Sequence, residues 1–210
     1  MTRLRLLIGL AAVGLLAACT STGGKAGQTP SELNGRPDST YQGVGLTPPQ
    51  PRPQFTLTDT SGKSFKFATD TAGKPTLLFF GYTNCPDVCP TTLADIANAL
   101  KSVPTDVRTA TQVVFVTTDV KRDTGPVVAA YLRKFDVELP TKFIGLHGSQ
   151  SQIDAAQVAA HVTLAEDGGQ THSAEVLLYG SDDYARVSFL QSNNEADQIS
   201  HDLQLVAGTK

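Results

Sequence analysis

The sequence predicts an α/β domain in which a central mixed sheet is flanked by helices and preceded by an N-terminal β-hairpin. Three observations carry this. Two solidly apolar runs, Leu77-Leu78-Phe79-Phe80 and Val113-Val114-Phe115-Val116, read as strands buried on both faces. Segments with helical apolar spacing alternate with these runs, clearest at Leu93, Ile96, Ala97 and Leu100. Two later apolar segments, Ser173–Tyr179 and Ala185–Phe189, flank the turn Gly180-Ser181-Asp182-Asp183 and add antiparallel strands.

Taken in order, Gln54–Asp59 alternates apolar and polar residues as a half-buried strand does. Thr60-Ser61-Gly62-Lys63 turns the chain, and Phe65 and Phe67 continue the alternation, giving the hairpin. Thr76–Tyr82 is the first buried strand. A helix follows from about Thr92 to Ser102 and stops at Pro104. Gln112–Thr118 is the second buried strand, with a helix over Gly125–Phe135 behind it. Lys142–Leu146 makes a short strand. Ser149 opens a helix with Ile153, Ala156, Val158 and Ala159 available for packing. After the acidic, glycine-bearing loop Ala165–Thr171 come the two late strands and a closing helix over Glu195–Val206. Alternating strands and helices imply a parallel core sheet.

The N-terminus carries an address. Arg3 and Arg5 precede an apolar stretch, Leu6–Leu16, too short to span a bilayer. It ends Leu16-Ala17-Ala18-Cys19, which resembles the lipobox of a bacterial lipoprotein signal. Residues 1–18 are therefore read as a signal peptide and Cys19 as a lipidated N-terminus. Residues 19–52, rich in Ser, Thr, Gly, Pro and Gln, are read as a flexible tether, and residues 53–210 as the folded domain. The expected location is extracytoplasmic, on the outer face of the cytoplasmic membrane, held by lipid. A net charge of −3 gives no basic surface for nucleic acid.

The chain has 3 cysteines, and two of them stand together in Cys85-Pro86-Asp87-Val88-Cys89-Pro90, where the first buried strand gives way to a helix. A bridge across so short a loop adds little stability, so a structural disulfide is the weaker reading. A Cys-x-x-x-Cys pair serves redox exchange or closes on a soft metal ion, Cu(I) or Zn(II). A thiol pair at this place suits a thioredoxin-like layout, with a spacer one residue longer than Cys-x-x-Cys. Two thiolates leave a metal site incomplete, and histidine is the natural third ligand. His147, His161, His172 and His201 are the candidates. His172 stands out by position, because it follows a loop and opens a strand. The only methionine is Met1, so no thioether takes part.

These residues resemble the Sco (SenC) family. Phe80-Gly81-Tyr82-Thr83-Asn84-Cys85-Pro86-Asp87-Val88-Cys89-Pro90 is similar to its signature. Thr118-Asp119-Val120-Lys121-Arg122-Asp123-Thr124 resembles its Asp-Pro-x-Arg-Asp-Thr segment, with Val120 in the place of proline. Phe143–Ser149 and Thr171-His172-Ser173 match further segments. The resemblance implies a membrane-anchored, thioredoxin-like assembly factor for cytochrome c oxidase that binds copper, Cu(I) or Cu(II), through Cys85, Cys89 and His172. Its implied partners are the copper-bearing oxidase subunit and another copper chaperone or thioredoxin-like reductase. Asp119 is a candidate to orient His172 or the thiol loop, with a plain turn carboxylate as the equal alternative. Lys121, Arg122 and Asp123 read as a solvated loop. The rival reading is an enzyme, a thiol-disulfide oxidoreductase that keeps the oxidase's copper-site cysteines reduced. A peroxidase of the same superfamily fits poorly, because Thr83 stands one place too close to Cys85 for a Thr-x-x-Cys arrangement.

Overall fold

The computed structural model describes residues 40–208, so the signal segment and Cys19 lie outside the described residues. The chain forms β1 (Val44–Pro51), β2 (Thr56–Asp59), β3 (Ser64–Lys66), α1 (Phe67–Asp70), β4 (Thr76–Gly81), α2 (Val88–Ser102), α3 (Thr105–Ala110) and β5 (Gln112–Thr117). It continues with α4 (Gly125–Asp136), β6 (Ile144–His147), α5 (Gln150–Ala159), a 3-10 turn at Asp167–Gly169, β7 (Val176–Tyr179), β8 (Tyr184–Phe189) and α6 (Glu195–Ala207).

All strands share one sheet in the order β1-β8-β7-β4-β5-β6-β2-β3. β4 and β6 run parallel to β5, while β7 and β8 are antiparallel additions. The expected hairpin is β2–β3. The apolar runs of β4 and β5 are uninterrupted because both faces are covered. Leu77, Phe79 and Phe115 pack under α2, α4 and α6. Leu78, Phe80, Val114 and Val116 face the opposite layer, where Phe67 of α1 and Ile153 and Ala156 of α5 close the core. Ser149 caps α5 with a full capping box to Gln152, as its sequence position suggested.

Two expectations change. Val44–Pro51 falls within the tether expected from the sequence, but it is a strand that pairs with β8, so the sheet begins before residue 53. Pro48, Pro49 and Pro51 cannot donate to a ladder, which confines this strand to the sheet edge, and its register shifts between Gly45 and Gln50. Arg52, also assigned to the tether, is 7% exposed. Its guanidinium donates to Asp183 Oδ1 (2.8 Å), Thr71 Oγ1 (2.8 Å) and the carbonyls of Lys74 (2.9 Å) and Gly180 (3.0 Å). It also lies over the Tyr179 ring at 5.1 Å. The second change is at α2, which begins at Val88 and takes Cys89 into its first turn, with Pro90 tolerated there because that N–H has no intrahelical partner.

Candidate metal centre

The site forms where β4 and β5 end, at the carboxyl edge of the parallel strands, which is where α/β sheets place their chemistry. β4 ends at Gly81, and the chain runs through Tyr82–Asp87 into α2. A Cβ on Gly81 would stand 2.9 Å from Cys89 Sγ, so the glycine leaves the space that this sulfur fills. Cys89 is fully buried and Cys85 is half-buried, and both are free thiols.

The helix start organises the pair. The Cys89 N–H, one of the unsatisfied donors of the first turn, donates to Cys85 Sγ at 3.3 Å. Burial works against ionisation of Cys85, but donors from the Cys89 and Asp87 backbone, the Cys89 thiol and the Tyr82 hydroxyl outweigh it and lower its pKa. Cys89 goes the other way, because burial pushes its thiol well above the ordinary range.

His172 comes from the loop between α5 and β7. Its Nδ1–H donates to the Ser173 carbonyl at 2.7 Å, which leaves Nε2 as the acceptor nitrogen, 3.4 Å from Cys89 Sγ. Burial lowers the pKa of the imidazole, which keeps the ring neutral and ready to ligate. Tyr82 stands edge-on to the ring at 5.6 Å and Phe79 at 6.3 Å, and these two walls fix its plane. Ligand atoms of Cys85, Cys89 and His172 all lie within 4.8 Å of one another. Cys85 and His172 border a cleft of about 360 Å³ that Tyr82, Pro86, Asp87 and Gln170 also line. Two soft sulfurs and one neutral imidazole are a donor set suited to copper or zinc.

The other histidines stand elsewhere. His147 ends β6, His161 follows α5 with a φ of 56°, and His201 pairs with Asp202 Oδ1 at 2.8 Å. Asp119 is 2% exposed, and its carboxylate is engaged by the Arg122 side chain and accepts from the Arg122 N–H at 3.3 Å. It braces a turn instead of meeting a ligand. Asp123, read from the sequence as solvated, is 3% exposed and accepts from Thr83 N (2.8 Å), Thr83 Oγ1 (2.6 Å) and Thr117 Oγ1 (2.5 Å). The one sequence signal for it is its place in the Asp-x-x-x-Asp spacing after a buried strand.

The family description SCO1/SenC matches residues 46–208. The chain belongs to the SCO1/SenC family. It is 35% identical over 127 residues to the SCO2-like protein of Rickettsia felis, an overlap of 59% of this chain and 58% of that one. The chain thus spans less than two thirds of that curated relative. Among solved structures, copper-bound ScoI of Bradyrhizobium japonicum is similar at a TM-score of 0.60 and 31% identity, covering 78% of this chain and 99% of that one. A SCO1/SenC family lipoprotein from Bacillus anthracis superposes at a TM-score of 0.65 and 25% identity, covering 77% and 99%. The thioredoxin-like fold expected from the sequence is the fold of these SCO1/SenC structures. Among the described residues no helix is long and apolar enough to cross a membrane.

Proposed function

We propose that this SCO1/SenC protein takes copper on Cys85, Cys89 and His172 and serves the assembly of the copper centre of cytochrome c oxidase. The observation that carries the reading is the convergence of these three ligand atoms within 4.8 Å, two from the start of α2 and one from a remote loop. The copper is cargo. The half-exposed Cys85 faces the cleft and is the ligand an incoming partner reaches first, while Cys89 and His172 hold the inner side. Ionisation of both thiols accompanies binding, so uptake releases protons and weakens as pH falls. Cys19 carries the lipid that keeps the domain at the outer face of the cytoplasmic membrane. Cys19→Ser should therefore leave the protein unprocessed or free of the membrane fraction.

Copper titration of the reduced protein tests the reading. One copper should bind per chain, and His172→Ala should weaken Cu(II) binding at least tenfold, a loss that even outer-shell changes reach. Wild-type affinity in His172→Ala would remove the imidazole from the site.

A second reading has an observation of its own. One thiol is accessible with a lowered pKa and its neighbour is buried with a raised one, the division of labour of an attacking and a resolving cysteine. On that reading the protein keeps the oxidase's copper-site cysteines reduced. His172→Ala separates the two: a strain that assembles oxidase normally at low copper favours thiol exchange over copper delivery.

A further inference from the structure

The copper-site reading leaves unexplained the segment Thr117–Thr124, which lies between β5 and α4 and contributes no ligand. The two arms that bear the ligands both lean on it. The cysteine arm, Tyr82–Asp87, is a loop between β4 and α2. Thr83 donates through its N–H and its hydroxyl to the two oxygens of Asp123, at 2.8 and 2.6 Å, and Thr117 Oγ1 supplies Asp123 with a third donor at 2.5 Å. A nearly dry carboxylate with three donors is held in one orientation, since any other leaves charge bare.

The histidine arm is the loop that precedes β7, closed on itself by the bridge between Glu166 and Thr171. It rests on Thr118. The Thr118 hydroxyl donates to the Gly169 carbonyl at 2.6 Å, with the Gly81 carbonyl farther off at 3.2 Å. Gly169 adopts a φ of +93°, and a Cβ there would fall 2.0 Å from the Thr118 carbonyl oxygen, so the arm lies flat on the segment at a position only glycine fills. The Thr118 N–H also donates to Gly81 O at 2.7 Å, which ties the segment to the strand end from which the cysteine arm departs. The segment itself is braced: Asp119 O accepts from Asp123 N at 3.0 Å, and the Asp119 carboxylate engages Arg122.

We infer that this segment is a two-armed clamp, in which Asp123 positions the cysteine arm and Thr118 positions the histidine arm, so that the Cys85–His172 separation is set by residues that touch neither ligand. The inference rests on the copper-site reading and deepens it. Both arms take their position from one short turn, so an error in either tie moves sulfur against nitrogen directly.

The variants are Thr118→Val, which keeps shape and removes the donor, Thr118→Ser, which restores it, and Asp123→Asn. Cu(II) added to the reduced full chain is followed by sulfur-to-copper absorption and by electron paramagnetic resonance. Thr118→Val should keep the sulfur band, weaken the nitrogen splitting and bind Cu(II) at least tenfold less tightly, and Thr118→Ser should return both signals. Asp123→Asn should shift the sulfur band. In the copper-free protein, amide hydrogen exchange at Gly169 and Thr171 should rise in Thr118→Val and not in Thr118→Ser. Wild-type spectra, affinity and exchange in Thr118→Val overturn the clamp while leaving the copper site standing. If wild-type protein binds no copper, the copper reading falls, and the exchange measurement alone decides whether Thr118 holds the arm. A uniform drop in stability with unaltered spectra and unaltered local exchange reduces both residues to ordinary structural roles.

Discussion

His172 Nε2 lies 3.4 Å from Cys89 Sγ, although 83 positions separate the two residues in the chain. The contact joins a loop to the first turn of a helix across the end of the sheet. The Ser173 carbonyl accepts a hydrogen bond from the ring's Nδ1–H, which leaves Nε2 as the nitrogen that faces the sulfur.

The sulfur pair is indispensable to the site. Cys85→Ser with Cys89→Ser should abolish visible sulfur-to-copper absorption and lower copper affinity far more than His172→Ala does, since thiolates are the softest ligands present. Titration of both proteins against a common copper competitor measures the order. Equal affinity in the double variant and the wild type would discard the site.

The two thiols should react in sequence. Cys85 is half-exposed and its pKa is lowered, so its thiolate fraction at neutral pH exceeds that of an ordinary cysteine. Cys89 is fully buried with a raised pKa. Brief iodoacetamide treatment of the reduced protein near pH 7 should label Cys85 first, by at least tenfold in rate on accessibility and ionisation together. Peptide mass spectrometry reads the order. Oxidation to the disulfide should abolish tight copper binding, because it consumes both thiolates.

Arg52 anchors the edge strand to the body. Arg52→Met removes donors to Thr71 Oγ1 and to the carbonyls of Lys74 and Gly180, and leaves Asp183 without its cation. Each buried acceptor left bare costs roughly 1–3 kcal/mol. The unfolding midpoint should fall by several degrees, at roughly 2–4 °C per kcal/mol for a domain of this size. Thermal melts of the soluble domain check this, and an unchanged midpoint would mean that the latch contributes nothing.

The stability that Glu195 contributes should decline as pH rises from 4.5 to about 7. This residue opens α6, is 1% exposed, and neither carboxylate oxygen has a partner among the described residues. Burial first, and then the charge of Asp95 on α2, raise its pKa from 4.5 to about 7. The folded state therefore holds the proton more tightly than the unfolded state. That contribution is fully present below pH 4.5 and is lost as pH rises through about 7. Urea midpoints measured at pH 6 and pH 8 should differ in the wild type, and Glu195→Gln should remove much of the difference. An unaltered pH dependence in Glu195→Gln would place the loss elsewhere.

The amino-acid order by itself determined the strands and helices whose residues answer to local rules. The runs at β4 and β5 are apolar without a break because both faces are covered, and period and length suffice to read that. The thiol pair was legible for the same reason, since Cys85 and Cys89 are close in sequence and need only a strand end to bring them to one spot. His172 stood out among four histidines by its place between a loop and a strand, and its resemblance to a known segment strengthened that reading, because a loop histidine carries no periodic signal. The tertiary structure alone decided the rest. β1 looked like a tether because its prolines break every local strand rule, and it becomes a strand only because β8 offers it an edge. Arg52 read as part of the tether, Asp119 as an orienting or turn carboxylate and Asp123 as solvated, because charged residues usually are exposed. They are buried because each finds partners brought near by the fold: Asp183, Gly180 and Lys74 for Arg52, Arg122 for Asp119, and Thr83 for Asp123. Burial of a charge depends on partners that long-range topology supplies, which no local window of sequence contains.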